Sequence, residues 1–346
     1  MKRGVVATLA TVALTLTACG GGDAGTESEQ SNVKAGGCQD SGTIRLAVGD
    51  PAKSSVGVTA QHFADEVAKN SNLDVKVFPE GTLFGGDQNA AVNQVQGGSI
   101  DASILSTSVY ASFEKRMNAV SMPYLFDDFD QYMSYLEGEP GQTLLKSLEK
   151  VDTVGLAMMP RTLRHVTNSK RPITEPADLQ GLKIRVPQND LWVKFFKSLG
   201  ANPTPMDFTE VYTALQLKVI DGQENPIEVP VANKFQEVQK YLSLTGHIAD
   251  AYILAMNQKK FQGLSAECQK FLQETAVETA QFKADFDQKE ADKALEQLKS
   301  AGMEVNELTP EQQQAFQEAA QKLYPEFESL IGAEFVNETL QFAGKA

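Results

Sequence analysis

The chain is short of the residues from which most enzyme and metal sites are built. Its 346 residues include three histidines and three cysteines. His62, His165 and His247 stand far apart with no paired cysteine beside them, which argues against a zinc site. A Gly-x-Ser-x-Gly elbow, a Walker loop and a His-Glu-x-x-His helix are all missing. Gly81 to Gly86, the one glycine cluster after a candidate strand, lacks the dinucleotide spacing and a following lysine. No metal, no cofactor and no catalysis are therefore expected. Basic residues are also outnumbered, with 31 Lys and Arg against 45 Asp and Glu for a formal charge of −14. That balance argues against a nucleic-acid partner, because phosphate binding needs a basic face. It does not exclude an anionic ligand. Charges more than about 8 Å away are screened at physiological salt, so the groups inside a cleft decide. Acid pairs such as Asp127-Asp128 and Glu137 with Glu139 fall in polar stretches and read as solvated helix starts.

Long hydrophobic runs are missing too, with one exception at the start. Lys2 and Arg3 precede an apolar stretch from Val5 to Leu16. It falls short of the roughly 20 residues a membrane-spanning helix needs, but it suits a secretory signal over residues 1–18. Leu16-Thr17-Ala18-Cys19 resembles the bacterial lipobox, in which the Cys19 thiol carries a lipid through a thioether. An ordinary signal peptide with an incidental cysteine is the alternative. From Gly20 to Gly42 the chain is Gly, Ser, Glu, Gln and Asp with almost no large apolar residue. Such a segment cannot offset its ordering entropy, so residues 19–42 read as a lipidated flexible tether. With Cys19 lipidated, Cys38 and Cys268 remain as a pair in an oxidising compartment. A disulfide between them is the expectation, and two free thiols are the alternative.

The remainder, 42% apolar in the whole-chain count, suffices for one large domain or two medium ones. Ile44 to Val48 is a strand candidate, and Ser55 to Lys69 carries apolar residues at helical spacing. Leu73 to Phe78 alternates like a strand, a helix spans Gln88 to Gln96, and a strand follows at Ile100 to Leu105. This β-α-β-α-β order is that of a doubly wound α/β lobe. A second such region opens with a strand at Leu182 to Val186. Helices at Leu191 to Leu199 and Phe208 to Leu217 follow, the latter leading to Val219-Ile220. The phrases Gln96 to Asp101 and Gln216 to Asp221 carry Gln, Ile and Asp at the same offsets, which suits two similar lobes. Ser265 to Ser300 is nearly free of Pro and Gly and reads as one helix of about 50 Å at 1.5 Å per residue. Thr309-Pro310-Glu311-Gln312 starts another helix with a cap, Pro at N1 and Gln at N3. Its apolar stripe would run through Phe316, Ala319, Ala320, Leu323 and Phe327.

One region is far more specific than the rest. It comprises Gly181-Leu182-Lys183-Ile184-Arg185-Val186-Pro187, Leu199 to Met206, Phe208-Thr209-Glu210-Val211-Tyr212 to Gln216, and Ile220-Asp221-Gly222-Gln223-Glu224-Asn225-Pro226. These phrases closely resemble the substrate-binding proteins of TRAP (tripartite ATP-independent periplasmic) transporters, the DctP-like family. Met122 to Phe126, Arg164 to Ile173 and Phe78 through Leu83 to Asp87 fit the same family. The resemblance covers about residues 43 to 335. It implies a two-lobed α/β fold of the periplasmic-binding-protein kind, with a long C-terminal helix linking the lobes. The first lobe would hold 43–163 plus about 251–290, and the second 164–250 plus about 291–346. It further implies capture of a small organic acid and its delivery to a sodium-coupled permease with a small and a large membrane subunit. A lipid-anchored, extracytoplasmic monomer is the form expected.

The residues alone leave Arg185 open. On a short strand between Ile184 and Val186, its guanidinium sits at a strand end, where open α/β sheets place ligands. Its planar fork matches a carboxylate in a way Lys cannot reproduce. A buried ion pair with an internal acid such as Glu224 is the structural alternative. The resemblance makes Arg185 the carboxylate clamp. It likewise implies Arg164 as a second cleft arginine, Asn225 as an amide that hydrogen-bonds the ligand, and Phe208 as an aromatic packed over it. Their structural alternatives are a surface Arg, a turn former before Pro226 and a helix-core Phe. On the first lobe, Asp87 and Ser106 fall where family members contact ligand. Sialate-binding members carry Glu where Ser106 falls, which argues against sialic acid. Lys218 stands where a small residue is common. A sensor feeding a receptor and an exported α/β hydrolase or lyase are the rival functions.

Overall fold

The computed structural model describes residues 38–346. The signal segment, Cys19 and the tether as far as residue 37 lie outside the described residues. The strands are β1 (Ser41–Val48), β2 (Asn72–Phe78), β3 (Ala102–Ser106), β4 (Thr153–Pro160), β5 (Arg164–Asn168) and β6 (Lys183–Val186). They continue with β7 (Asn202–Pro205), β8 (Gly222–Pro226), β9 (Tyr241–Leu244), β10 (Ala251–Asn257) and β11 (Glu304–Glu307). Ordered sheet begins at Ser41, inside the stretch expected to be tether, because Ser41 already pairs with Asn72 of β2. Cys38, just before it, is joined to Cys268 by a disulfide.

Two sheets form, in the orders β2-β1-β3-β10-β4 and β11-β9-β5-β8-β6-β7. In the first, β2, β1 and β3 are parallel as the helix-strand alternation requires. β10 runs antiparallel to both β3 and β4, so the lobe is not wholly doubly wound. That strand is the chain's return from the second sheet. The outward crossing runs from β4 through residues 161–163 into β5, and the return from β9 through 245–250 into β10. Helix Ser55–Asn70 starts where the Ser54 side chain accepts from Gly57 N. It buries Val56, Ala60, Phe63, Ala64 and Val67 on one stripe against the first sheet.

The two matched phrases do the same structural job. The Asp101 carboxylate accepts from Arg45 N on β1 at 2.8 Å, and the Asp221 carboxylate accepts from Lys183 N on β6 at 2.9 Å. Each acid ties the turn before one strand to the backbone of its neighbour. Lys218 sits in the same turn with φ +58°, as Gly98 does with φ +78°. A left-handed position favours a residue without a Cβ, which is the physical sense of a small residue there.

Helix Ala266–Ser300 joins the halves. Its first turns put Cys268, Leu272, Ala276 and Ala280 into the core beneath β1 and helix Ser55–Asn70. Its last turns put Ala294 and Leu298 against Ile227, just past β8, and Leu242 on β9. The expected stripe from Phe316 to Phe327 is broken. One helix spans Pro310–Gln321 and a second Tyr324–Ile331, with Pro325 in its first turn, where a missing N–H costs nothing. From Tyr324 onward the chain also meets residues of the first half, while Glu326 still pairs with Lys194 of the second. Tyr324 donates to Pro123 O at 2.8 Å, and Tyr135 meets Thr339 at 3.0 Å and packs edge-on to Phe342. The tail of 291–346, expected in the second lobe, thus finds partners for its aromatics around helix Phe129–Glu137 as well. No helix among the described residues is long and apolar enough to cross a membrane.

Candidate functional site

Three arginines converge where the two sheets face each other, at the ends of β1, β3 and β6 and along the 161–164 crossover. Arg164, at the head of β5, is 1% exposed. Its Nε and Nη2 reach the Glu224 carboxylate on β8 at 2.6 and 2.7 Å, and its Nη1 reaches Asp250 at 3.3 Å. Nη2 also donates to Glu224 O and to Asn225 Oδ1. Arg161 donates from Nη1 to Asp250 at 3.0 Å, lies 4.5 Å over the Tyr252 ring, and reaches Asn225 Oδ1 through Nη2 at 3.4 Å. Its buried Nε has no hydrogen-bond partner among the described residues. Two arginines are thus matched by two carboxylates, Glu224 and Asp250.

Arg185 is the third cation and has no ion pair among the described residues. Nε and Nη2 both donate to Met206 O, at 3.2 and 2.8 Å, and the guanidinium lies 5.8 Å over the Phe208 ring. Burial pushes its pKa down to about 10; Glu224 opposes the fall, and Arg164 adds to it. A buried cation facing a cleft without a counter-ion is costly unless something anionic arrives.

Behind the arginines the groups are fixed. The Glu224 carboxyl is held down at about 2 against its burial, chiefly by Arg164. His247 places Nε2 3.0 Å from Glu224 and Nδ1 2.8 Å from Thr245, and burial lowers its pKa. The Asn225 amide is already engaged, accepting from both arginines and donating to Gln223 Oε1 at 2.6 Å.

Arg185, Arg164, Asn225, Phe208 and Ser106 all line one cleft. Asp87 does not. It is exposed, and its carboxylate caps helix Gln88–Gly97 by accepting from Ala90 N at 3.0 Å. A capping acid is held at its own helix start, so Gln88 takes the lining position instead. The alternative partner for Arg185 is also excluded, since Glu224 belongs to Arg164. Arg161, Asp50 and Tyr252 line the cleft and were not singled out in the sequence. One signal was available for Asp50, which stands two residues past the end of a parallel strand, the place where such sheets bind ligands.

The geometry is that of an anion cleft between two α/β halves, and comparison with known proteins gives it a family. The profile described as "Bacterial extracellular solute-binding protein, family 7" (DctP) matches residues 47–330. The chain belongs to this family. Among its relatives is the 2,3-diketo-L-gulonate-binding periplasmic protein YiaO of Escherichia coli, 37% identical over 279 residues, which are 80% of this chain and 84% of that protein. The sugar acid binding protein DctPAm of Advenella mimigardefordensis, solved with galactonate, superposes with a TM-score of 0.84 at 32% identity. That match covers 88% of this chain and 98% of the other. A TRAP periplasmic solute-binding protein of Sulfurospirillum deleyianum, solved with bound succinate, gives 0.80 at 27% identity, over 88% and 98%. The protein is thus a TRAP solute-binding protein with the two-sheet α/β architecture of its solved relatives.

Proposed function

We propose that this solute-binding protein captures a small organic acid by docking its carboxylate on Arg185, and releases it to a membrane permease. The observation that carries the reading is the unpaired, buried Arg185 guanidinium facing a cleft. The free Nε of Arg161 is a second donor on the same wall. Phe208 supplies the apolar cover, and Arg164 acts through others, holding Glu224 and Asn225 in place. Relatives of similar sequence that bind 2,3-diketo-L-gulonate, galactonate or succinate support the ligand class.

Closure of the two sheets over the ligand would remove the carboxylate–Arg185 pair from water, and the closed surface would be what the permease reads. The partner is a sodium-coupled permease with a small and a large subunit, and a lipid on Cys19 keeps the protein beside it. Support for the anchor is the Leu16-Thr17-Ala18-Cys19 phrase behind its apolar run. Binding proceeds without turnover. Among the described residues no histidine lines the cleft, and the hydroxyls of Ser106 and Ser108 are paired with each other at 2.7 Å, with no hydrogen bond to a carboxylate or imidazole. A thermal-shift screen over small organic acids tests the reading, since ligand at 100 times its Kd stabilises by about 2.7 kcal/mol. An absence of any shift across carboxylates of three to seven carbons, roughly what such a cleft admits, would refute it.

A further inference from the structure

The wall opposite Arg185 differs in kind from the arginine wall. It is made by Asp50, Gln88, Ser106, Ser108 and Tyr252, from the strand ends and helix start of the first sheet. No Lys or Arg stands in that set. Asp50 follows β1 in the Gly49-Asp50-Pro51 turn and is 5% exposed. No ion pair to its carboxylate occurs among the described residues; its one side-chain hydrogen bond there is from the Tyr252 hydroxyl, at 3.4 Å from Oδ2. Burial pushes its pKa up, against the pull of Arg161, Tyr252 and Lys283. Lys283 is not available to a ligand, because its ammonium is held by Pro160 O at 2.9 Å and by Asp287.

From this polarity, and resting on the carboxylate reading of Arg185, we infer that the protein selects a hydroxylated monocarboxylate and discriminates against dicarboxylates through Asp50. The arithmetic of the walls is the argument. Glu224 and Asp250 already balance Arg161 and Arg164, which leaves one positive group, Arg185, at one end and one negative group, Asp50, at the other. A ligand with a single carboxylate neutralises Arg185 and can place hydroxyl donors against the Asp50 oxygens, with Gln88 and the serines as further partners. A second carboxylate would enter beside Asp50, where the nearest cations, Arg161 and Lys283, are already paired with Asp250 and Asp287, so that two like charges share a low-dielectric space. A zwitterion fits less well than a hydroxy acid. Its ammonium is a donor only, so it could give to Asp50 but could not accept from Gln88 or the serine hydroxyls as a ligand hydroxyl can.

Three four-carbon probes separate the cases at pH 7.5: erythronate with one carboxylate and three hydroxyls, succinate with two carboxylates, and threonine as a zwitterion. Isothermal titration should show wild-type protein binding erythronate more tightly than succinate or threonine by about tenfold or more, the scale of one charge-assisted hydrogen bond. Asp50→Asn should shrink the erythronate-to-succinate ratio by about tenfold, through weaker erythronate, tighter succinate or both. Succinate bound as tightly as erythronate by the wild type overturns the inference and leaves the carboxylate reading standing. So does a ratio that Asp50→Asn leaves unchanged. Preference for threonine makes Asp50 an ammonium site and overturns it as well. Binding of none of the three, with no response to longer sugar acids either, removes both readings. The wild-type ratio needs no variant, so the test survives a misfolded Asp50→Asn.

Discussion

Arg185 and Arg164 are both buried arginines lining one cleft, and replacing each by Gln should have opposite consequences. Removal of Arg164 leaves Glu224 and Asp250 in the interior with their shared cation gone. Breaking such a buried pair costs about 3–5 kcal/mol, and here two carboxylates lose a partner at once. Removal of Arg185 strands no acid. The folded protein holds that guanidinium at a pKa near 10 because burial disfavours its charge. At about 1.36 kcal/mol per pH unit, keeping it charged costs the ligand-free fold on the order of 3 kcal/mol. Gln at 185 relieves that cost and can still donate to Met206 O.

Urea unfolding of ligand-free protein should therefore place Arg185→Gln at or above wild type, and Arg164→Gln about 3 kcal/mol or more below it. Titration with a bound acid should then show Arg185→Gln weakened by about a hundredfold, the loss expected when one partner of a desolvated charge pair is truncated. Equal destabilisation by the two variants would make Arg185 a structural residue and refute the reasoning. Near-wild-type affinity in Arg185→Gln would move the anchor to Arg161.

Other expectations concern the frame around the site. Stability should fall on acidification from about pH 6.5. Burial lowers His165 to about 3 and lowers His247 too, so the unfolded chain takes up protons that the folded one refuses. Between the ordinary histidine pKa and about 3 His165 contributes a slope of about 1.4 kcal/mol per pH unit, and His247 adds to the loss in the same direction. Glu224, held at about 2, adds to the loss below its ordinary range, and the raised Asp50 and Asp207 oppose it. Equal urea midpoints at pH 7.5 and 5 would contradict this. Cys38→Ser should lower stability by about 2–4 kcal/mol, and reduction of the wild type should add the mass of two protons per chain. Unchanged mass would mean free thiols. At Gly86, with φ +88°, an added Cβ would lie 2.6 Å from Thr209 Oγ1 on the opposite wall. Gly86→Ala should therefore weaken ligand binding, by about tenfold for a strain of 1–2 kcal/mol. A Kd equal to that of wild type would mean the walls do not press together at this point.

Much of the frame was legible because it is local. The helix at Ser55, the 35-residue helix Ala266–Ser300 and the Thr309–Gln312 capping box all follow from side-chain period and cap chemistry within a few residues. The misses are places where a local signal had two uses. Asp87 precedes a helix at a place where family members contact ligand, yet capping satisfies the same carboxylate. Phe316 through Phe327 kept a helical stripe across a break, because two helices meeting at Tyr324-Pro325 can share an apolar face. β10 could not be seen as antiparallel, since a buried strand reads alike in both directions.

The ambiguity at Arg185 has the deepest cause, and the sheet register resolves it. Arg185 on β6 pairs with Gln223 of β8, while Val166 of β5 pairs with Glu224. Paired residues share a sheet face and neighbours along a strand alternate. Arg185 therefore stands on the Gln223 face, and Glu224 stands on the face of Val166 and, two residues earlier, Arg164. Glu224 takes the arginine on its own side, and the one across the sheet is left with a backbone carbonyl and an aromatic ring. A slip of one residue in the β6–β8 pairing would have handed Glu224 to Arg185 and closed the binding site with an internal salt bridge. The feature that makes the cleft receptive to an acid is thus a matter of register between two short strands, which no single strand's sequence records.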